Sequence, residues 1–268
     1  CAFIACLLFT FVISSRIDFM ELCLFIACFN ILIAFYLSRS RIIPFLLFIP
    51  LSFYFVFHVF AITLPWQGLK LSQTMESEYG EIAVIDMKDQ SSIYTNGQLL
   101  FTYPNVPREE FRTHLTMTLH PSPADVLVVG GSPGALRELL KYSVKKVDFI
   151  ELDPRIVQVS FGLLNGKDRE IMEDKRLSVI VEDGRRFIKQ LKMTRYDLVF
   201  LNLPQPSTAG INRFYTTDFF KEVKAVLKED GILALTIPSS TGYIGKSMQT
   251  ASGAIYNSLK SVFQYVSV

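Results

Sequence analysis

From Asp125 onward the sequence alternates short apolar runs with stretches of helical composition, a rhythm that few folds accommodate. The runs at 126–129, 147–152, 177–181, 198–201 and 232–237 are continuous rather than alternating, as strands buried on both faces must be. Helices are expected between them at 135–142, 154–164, 185–192 and 217–228. This repetition predicts an α/β fold with a doubly wound parallel sheet, because each return between parallel strands needs a crossover helix. A further helix at 249–258 and a strand at 263–268 are expected to follow. The sheet would still be one strand short of a full doubly wound set, so the C-terminus is expected to be truncated.

The first strand runs into Gly130-Gly131-Ser132-Pro133-Gly134, which opens a helix. Glycine lets backbone approach a ligand closely, and a helix N-terminus offers it unpaired N–H groups. Tight strand-to-helix turns need glycine for their own sake, so the turn alone says little. The second strand ends at Glu151, about twenty residues on, where an acid can accept hydrogen bonds from ribose hydroxyls. The third ends in Glu182-Asp183-Gly184, where Asp183 either faces a ligand or caps the next helix. Ligands of open α/β sheets gather at the carboxyl edge, near the point where strand order reverses. Gly130, Gly131, Ser132, Gly134, Glu151, Asp183 and Gly184 are therefore expected to meet there as a nucleoside site.

The N-terminal quarter is suited to a different solvent. Residues 1–64 carry only Arg16, Asp18, Glu21, Arg39 and Arg41 as full charges. Apolar stretches occupy 1–15, 20–37 and 42–64, and the latter two can cross about 30 Å of hydrocarbon at about 1.5 Å per residue. A signal peptide does not explain several such stretches in series, and a buried helical hairpin of this length is rare in small domains. Transmembrane helices are therefore expected over 1–66, the first read as the remainder of a longer helix, with Trp66 at the interface and a lipid bilayer as partner. Arg39 and Arg41 point to a cytoplasmic loop, which would send the following domain to the opposite side; the side is left open.

All four cysteines (Cys1, Cys6, Cys23, Cys28) fall within these stretches, so the rest of the chain has neither a disulfide nor a cysteine-ligated metal. The three histidines, His58, His114 and His120, are scattered, and no metal is expected. A net charge of +2 with both signs interspersed gives no support for a nucleic-acid partner.

Residues 76–106 read as a small antiparallel β-unit, with strands at 81–85, 92–95 and 98–103. Asn96-Gly97 between the last two is the hairpin signal, since both central residues of a type I′ turn need positive φ. A helix at 108–119, bracketed by prolines, leads into the domain assigned to 107–268.

Tyr79-Gly-Glu-Ile, the Asn96-Gly97 hairpin, the run Val126 to Gly134, Arg137-Glu138-Leu, Phe149-Ile-Glu-Leu-Asp153, Glu182-Asp-Gly184 and the run Tyr196 to Pro206 follow the spermidine synthase order. With Asn212-Arg-Phe-Tyr215 and the segment from Ser258 to Phe263, residues 79–268 resemble the polyamine aminopropyltransferases, in their membrane-fused bacterial branch. The resemblance implies a Rossmann-like fold of the class I S-adenosylmethionine-dependent transferases. It also implies a decarboxylated S-adenosylmethionine donor, a polyamine acceptor such as putrescine, and a bacterial inner-membrane location. A homo-oligomer is compatible with it.

By position, Glu151 would hold the ribose, Asp183 the adenine amino group, and Gly130, Gly131 and Gly134 the turn beside the sulfonium. Tyr94 and Tyr215 are candidates for the acceptor pocket, with packing as the competing role. The chain departs from the family where catalysis is concentrated. Asn202 stands in place of the general-base aspartate, Gln205 in place of the aspartate that binds the acceptor amine, and Pro133 in place of one facing the donor amine. The Tyr-His-Glu motif reads His114-Leu115-Thr116. An amide neither attracts an ammonium nor takes its proton, and losing a positioned base costs about 10²- to 10⁴-fold in rate. Impaired aminopropyl transfer is the expectation. A non-catalytic nucleoside-binding membrane module and a methyltransferase using intact S-adenosylmethionine are the alternatives.

Overall fold

The computed structural model describes residues 69–191, 193–237 and 245–267, together with Cys28, Phe29, Ile33 and Tyr36. The chain divides into two compact units, Cys1–Leu71 and Ser72–Val268. Apart from those four residues, which are helical, the stretches expected to span a membrane lie outside the described residues. Among the described residues no helix is long and apolar enough to cross one.

A four-stranded antiparallel sheet comes first, in the order β1 (Lys70–Ser77), β2 (Gly80–Met87), β3 (Gln90–Thr95), β4 (Gln98–Tyr103). The expected hairpin is present: Thr95 pairs with Gln98, and Asn96 and Gly97 take φ of 50° and 75°. The Asn96 side chain also fastens the preceding turn, with Oδ1 accepting from the Glu81 N–H at 3.1 Å and Nδ2 donating to the Tyr79 carbonyl at 3.3 Å. A Cβ on Gly80 would lie 2.1 Å from that Oδ1, so glycine at 80 makes room for it. Strand β1 was not expected; its polar sequence forms a largely exposed edge, where alternation is not enforced by burial.

Helix α1 (Val106–Thr118) then leads into a five-stranded parallel sheet. The strands β5 (Asp125–Val129), β6 (Lys146–Glu151), β7 (Leu177–Val181), β8 (Tyr196–Leu201) and β9 (Leu227–Leu235) take the order β7-β6-β5-β8-β9. The chain steps outward from β5 in one direction and returns to extend in the other, so strand order reverses between β5 and β8. The connecting helices are α2 (Pro133–Leu140), α3 (Pro154–Gly162), α4 (Gly184–Gln190), α5 (Ala209–Asn212) and α6 (Thr217–Val226). A 3₁₀ segment at Gly166–Glu173 follows α3, and α7 (Lys246–Lys260) follows β9.

The continuous apolar runs are explained by two cores. Val126, Val128, Val147, Phe149, Leu198 and Phe200 enter one, which continues into Ile82 and Ile93 of the antiparallel sheet. Their alternates Leu127, Val129, Ile150, Val199 and Leu201 enter the other, under Phe219, Phe220 and Val223 of α6. Helices on both faces leave these strands no polar side, as a doubly wound sheet requires.

Two expectations need correction. No strand forms over 263–267: the Phe263 N–H donates to the Leu259 carbonyl at 2.8 Å, and Phe263 and Val266 pack against the second core. Their apolar character serves packing rather than pairing. Helix α6 ends at Val226, earlier than expected, because Leu227 already pairs with Tyr196 as the first residue of β9. The sharp bend beyond it leaves no space at Gly231, where a Cβ would lie 3.0 Å from the carbonyls of Lys228 and Tyr196.

Candidate functional site

At the carboxyl end of β5, Gly130 and Gly131 take φ of 70° and 103°, left-handed conformations that L side chains rarely adopt. Their missing Cβ atoms are also spatially required. A Cβ on Gly130 would lie 2.9 Å from Leu203 and 3.9 Å from Glu151 Oε2, and one on Gly131 would lie 1.9 Å from Asn202 Nδ2. The glycine turn, the end of β6 and the loop after β8 therefore converge on one spot, at the reversal of strand order. Backbone bonds hold them there: Gly130 N–H to the Ile150 carbonyl at 2.8 Å, and Asn202 N–H to the Val129 carbonyl at 3.0 Å.

Ser132 is buried and caps α2, its Oγ accepting from the Gly134 N–H at 3.0 Å, with Pro133 at the first turn where its missing N–H costs nothing. Gly134 has ordinary backbone; a Cβ there would lie 3.1 Å from Glu109 Cγ on α1. The acid at the end of β6 is nearly enclosed. Glu151 Oε1 accepts from the N–H groups of Leu152 at 2.8 Å and Asp153 at 3.2 Å. Burial outweighs those two bonds and pushes its carboxyl up to about 7. Asp153 caps α3 with Oδ1, while its Oδ2 is buried without a hydrogen-bond partner.

Asp183 is joined to the same rim through the Glu182 N–H, which donates to the Glu151 carbonyl at 3.1 Å. Its carboxylate is engaged by the protein: Oδ1 caps α4 by accepting from the Arg186 N–H at 2.9 Å, and Oδ2 pairs with Arg213. Burial pushes this carboxyl up, but those partners outweigh it and hold it below the usual range. The capping role foreseen for Asp183 is thus the one the structure displays. Gly184 admits Val129 of β5, whose Cγ1 would be 2.8 Å from a Cβ there, so it serves helix-on-sheet packing.

Asn202 is buried with its amide over Gly131, whereas Gln205 is exposed. Gln205 lines a cavity of about 130 Å³ with Pro206, Ser207 and the Met248, Ala251 and Ile255 face of α7. Tyr215 is buried and donates its hydroxyl to the Pro204 carbonyl at 3.0 Å, fixing the loop that carries Asn202 and Gln205. Burial pushes its phenol up to about 12, despite the opposing effect of Arg112. Tyr94 stands half-buried on β3, opposite Ala83 and Leu99. His114 faces away into α2, pairing with Glu138 at 3.3 Å and Tyr142 at 2.6 Å.

A second polar cluster, at the amino edge of the sheet, brings ligand atoms of His120, Asp197 and Asp230 within 4.8 Å of one another. Its chemistry does not suit a cation. His120 Nδ1 accepts from the Ser122 N–H, which places the ring proton on Nε2, and Lys228 Nζ already lies 2.9 Å from both Asp125 and Asp197.

Residues 107–267, more than half of the chain, match the spermine/spermidine synthase domain. The chain belongs to the spermine/spermidine synthase family. Among curated relatives, it is 31% identical to the polyamine aminopropyltransferase of Pyrobaculum neutrophilum, across 70% of this chain and 67% of that one. It is 30% identical to the one from Saccharolobus solfataricus, across 76% and 63%. A spermidine synthase crystallised with the transition-state analogue AdoDATO has a similar fold, with a TM-score of 0.64 and 23% identity over 73% of this chain and 66% of that one. The spermidine synthase of Thermotoga maritima is similar to the same degree, with a TM-score of 0.62 and 22% identity over 73% and 65%.

One acid beside the glycine turn is not among the residues expected at the site. Glu109 sits on the buried face of α1 with Thr113, Thr116 and Met117. That spacing, i, i+4, i+7, i+8, was legible as an inward face had the three polar residues been allowed on it.

Proposed function

We propose that the carboxyl rim of the parallel sheet binds decarboxylated S-adenosylmethionine and that the chain transfers its aminopropyl group slowly to a polyamine such as putrescine. One observation carries this reading: the left-handed turn at Gly130 and Gly131 lies against Glu151, a nearly enclosed acid whose Oε2 points toward the turn. The names of the curated relatives and the analogue held by the structural neighbour support it. Glu151 would accept from the ribose hydroxyls, and the glycine turn would admit the sulfur side of the nucleoside. In transfer, the acceptor nitrogen forms a bond to the carbon beside the sulfonium, the carbon–sulfur pair leaves with sulfur as a neutral thioether, and the nitrogen sheds a proton.

Asn202 and Gln205 cannot take that proton, which supports a second reading in which the rim binds nucleoside without turnover. Titration calorimetry with decarboxylated donor, intact donor and thioether, followed by a product assay with putrescine, tests both. Binding with slow turnover, raised by Asn202→Asp with Gln205→Asp, supports transfer; an inert double variant that still binds donor contradicts the lost-base explanation. Absence of nucleoside binding contradicts both readings. We also propose that the N-terminal apolar stretches anchor the chain in a bilayer, on their composition alone, and protease protection in intact cells tests it and fixes the side of the domain.

A further inference from the structure

Helix α1 turns an acid inward that neither the packing nor the reading above employs. Glu109 is 3% exposed, and its Oε2 is buried without a hydrogen-bond partner. Two further polar atoms beside it share that condition, Thr113 Oγ1 one turn on and Arg112 Nε. Arg112 places its guanidinium 5.5 Å from the ring centre of Phe200 on β8, so this side of α1 reaches the strand that carries Asn202. The acid adjoins the glycine turn: its Cγ lies 3.1 Å from where a Cβ on Gly134 would stand. Gly134 needs no left-handed backbone; its missing side chain leaves room for Glu109 and for the capping Ser132 Oγ, 3.2 Å from the same point.

A fold gains nothing from a buried carboxylate with an unpaired oxygen; glutamine or methionine would fill the volume at lower cost. The charged groups that act on it are Arg112, Arg108 and Arg137, with Glu138 opposing, yet burial prevails and raises its carboxyl above the usual range. Among the described residues none of these cations forms an ion pair with it.

We propose that Glu109 receives the terminal ammonium of the aminoalkyl arm on the sulfur of the nucleoside, supplying its countercharge from α1. The inference rests on the donor site proposed above and adds its specificity-determining residue. Its test uses two neutral thioethers on the full chain: methylthioadenosine, and the same nucleoside with an aminopropyl arm in place of the methyl group. They differ in the ammonium and the short chain that bears it, and not in charge at sulfur, so the Glu109→Gln comparison isolates the charge. The wild-type chain is expected to bind the arm-bearing ligand about 10- to 100-fold tighter, as a charge-assisted hydrogen bond gives. Glu109→Gln, which keeps shape and removes charge, should erase that preference while methylthioadenosine binds as before; Glu109→Asp should restore part of it. A Gln variant that keeps the preference overturns the inference, as does one that weakens both ligands equally, which marks a structural role. Equal binding of the two ligands by the wild-type chain overturns it while sparing the donor site, whereas binding of neither removes both.

Discussion

Asp197 and Glu151 are both buried carboxylates at the ends of strands one removed from each other in the sheet, yet they sit at opposite edges and in opposite electrostatic states. At the amino edge, Asp197 accepts from the N–H groups of Ala124 at 3.0 Å and Asp125 at 2.8 Å and pairs with Lys228. Burial pushes its carboxyl up, but those partners outweigh it and hold it below the usual range. At the carboxyl edge, Glu151 has two N–H donors and no cation, and burial prevails. Deeper burial without a cation, against shallower burial with one, separates an acid kept available to a ligand from one that ties the fold together. The glycine turn sharpens the contrast, because it lies against Glu151 at the second edge.

Removing Asp197 should have the largest effect on stability. Asp197→Ala orphans two backbone N–H groups and leaves Lys228 short of a partner, so chemical denaturation is expected to show a loss of about 2–4 kcal/mol, with nucleoside affinity of the folded chain unchanged. A loss of affinity would erase the distinction between the edges. Glu151→Gln should do the reverse, weakening nucleoside binding about 10- to 100-fold in calorimetry while the fold persists. The wild-type carboxyl is raised from 4.5 to about 7, so the folded state holds its proton more tightly and stability falls as pH rises between those values. The glutamine variant should lose that slope.

The same ionisation should govern affinity. Only the carboxylate accepts from both ribose hydroxyls, so nucleoside binding is expected to be about tenfold weaker at pH 6 than at pH 8, and flat in Glu151→Gln. A wild-type profile without that rise would show that the acid is not used. Ser132→Ala should have the smallest effect, about 1 kcal/mol in denaturation, through loss of the α2 cap, with a minor loss of affinity as the turn loosens.

Much of this was legible before coordinates. Strands buried on both faces have to be continuously apolar, and Asn96-Gly97 admits few conformations, so β2 to β9 and the glycine turn follow from local pattern. The misreadings have a common physical source: local pattern records what a residue can do, and packing selects among its options. Apolar Phe263 and Val266 suit a strand but fill the second core as irregular chain, and polar β1 is a strand because it has a partner to pair with. Asp183 could bind or cap, and the Arg186 N–H together with Arg213, thirty residues on, engages it. Glu109 escaped notice because an acid next to Glu110 reads as a solvated face, and only the meeting of α1 with Gly134 reveals that it is enclosed.

A crystal structure of the full chain with bound methylthioadenosine reports most directly on the site. The account predicts the ribose hydroxyls within hydrogen-bond distance of Glu151 and the sulfur over the Gly130–Gly134 turn. Nucleoside bound anywhere else, or none at saturating concentration, would contradict it.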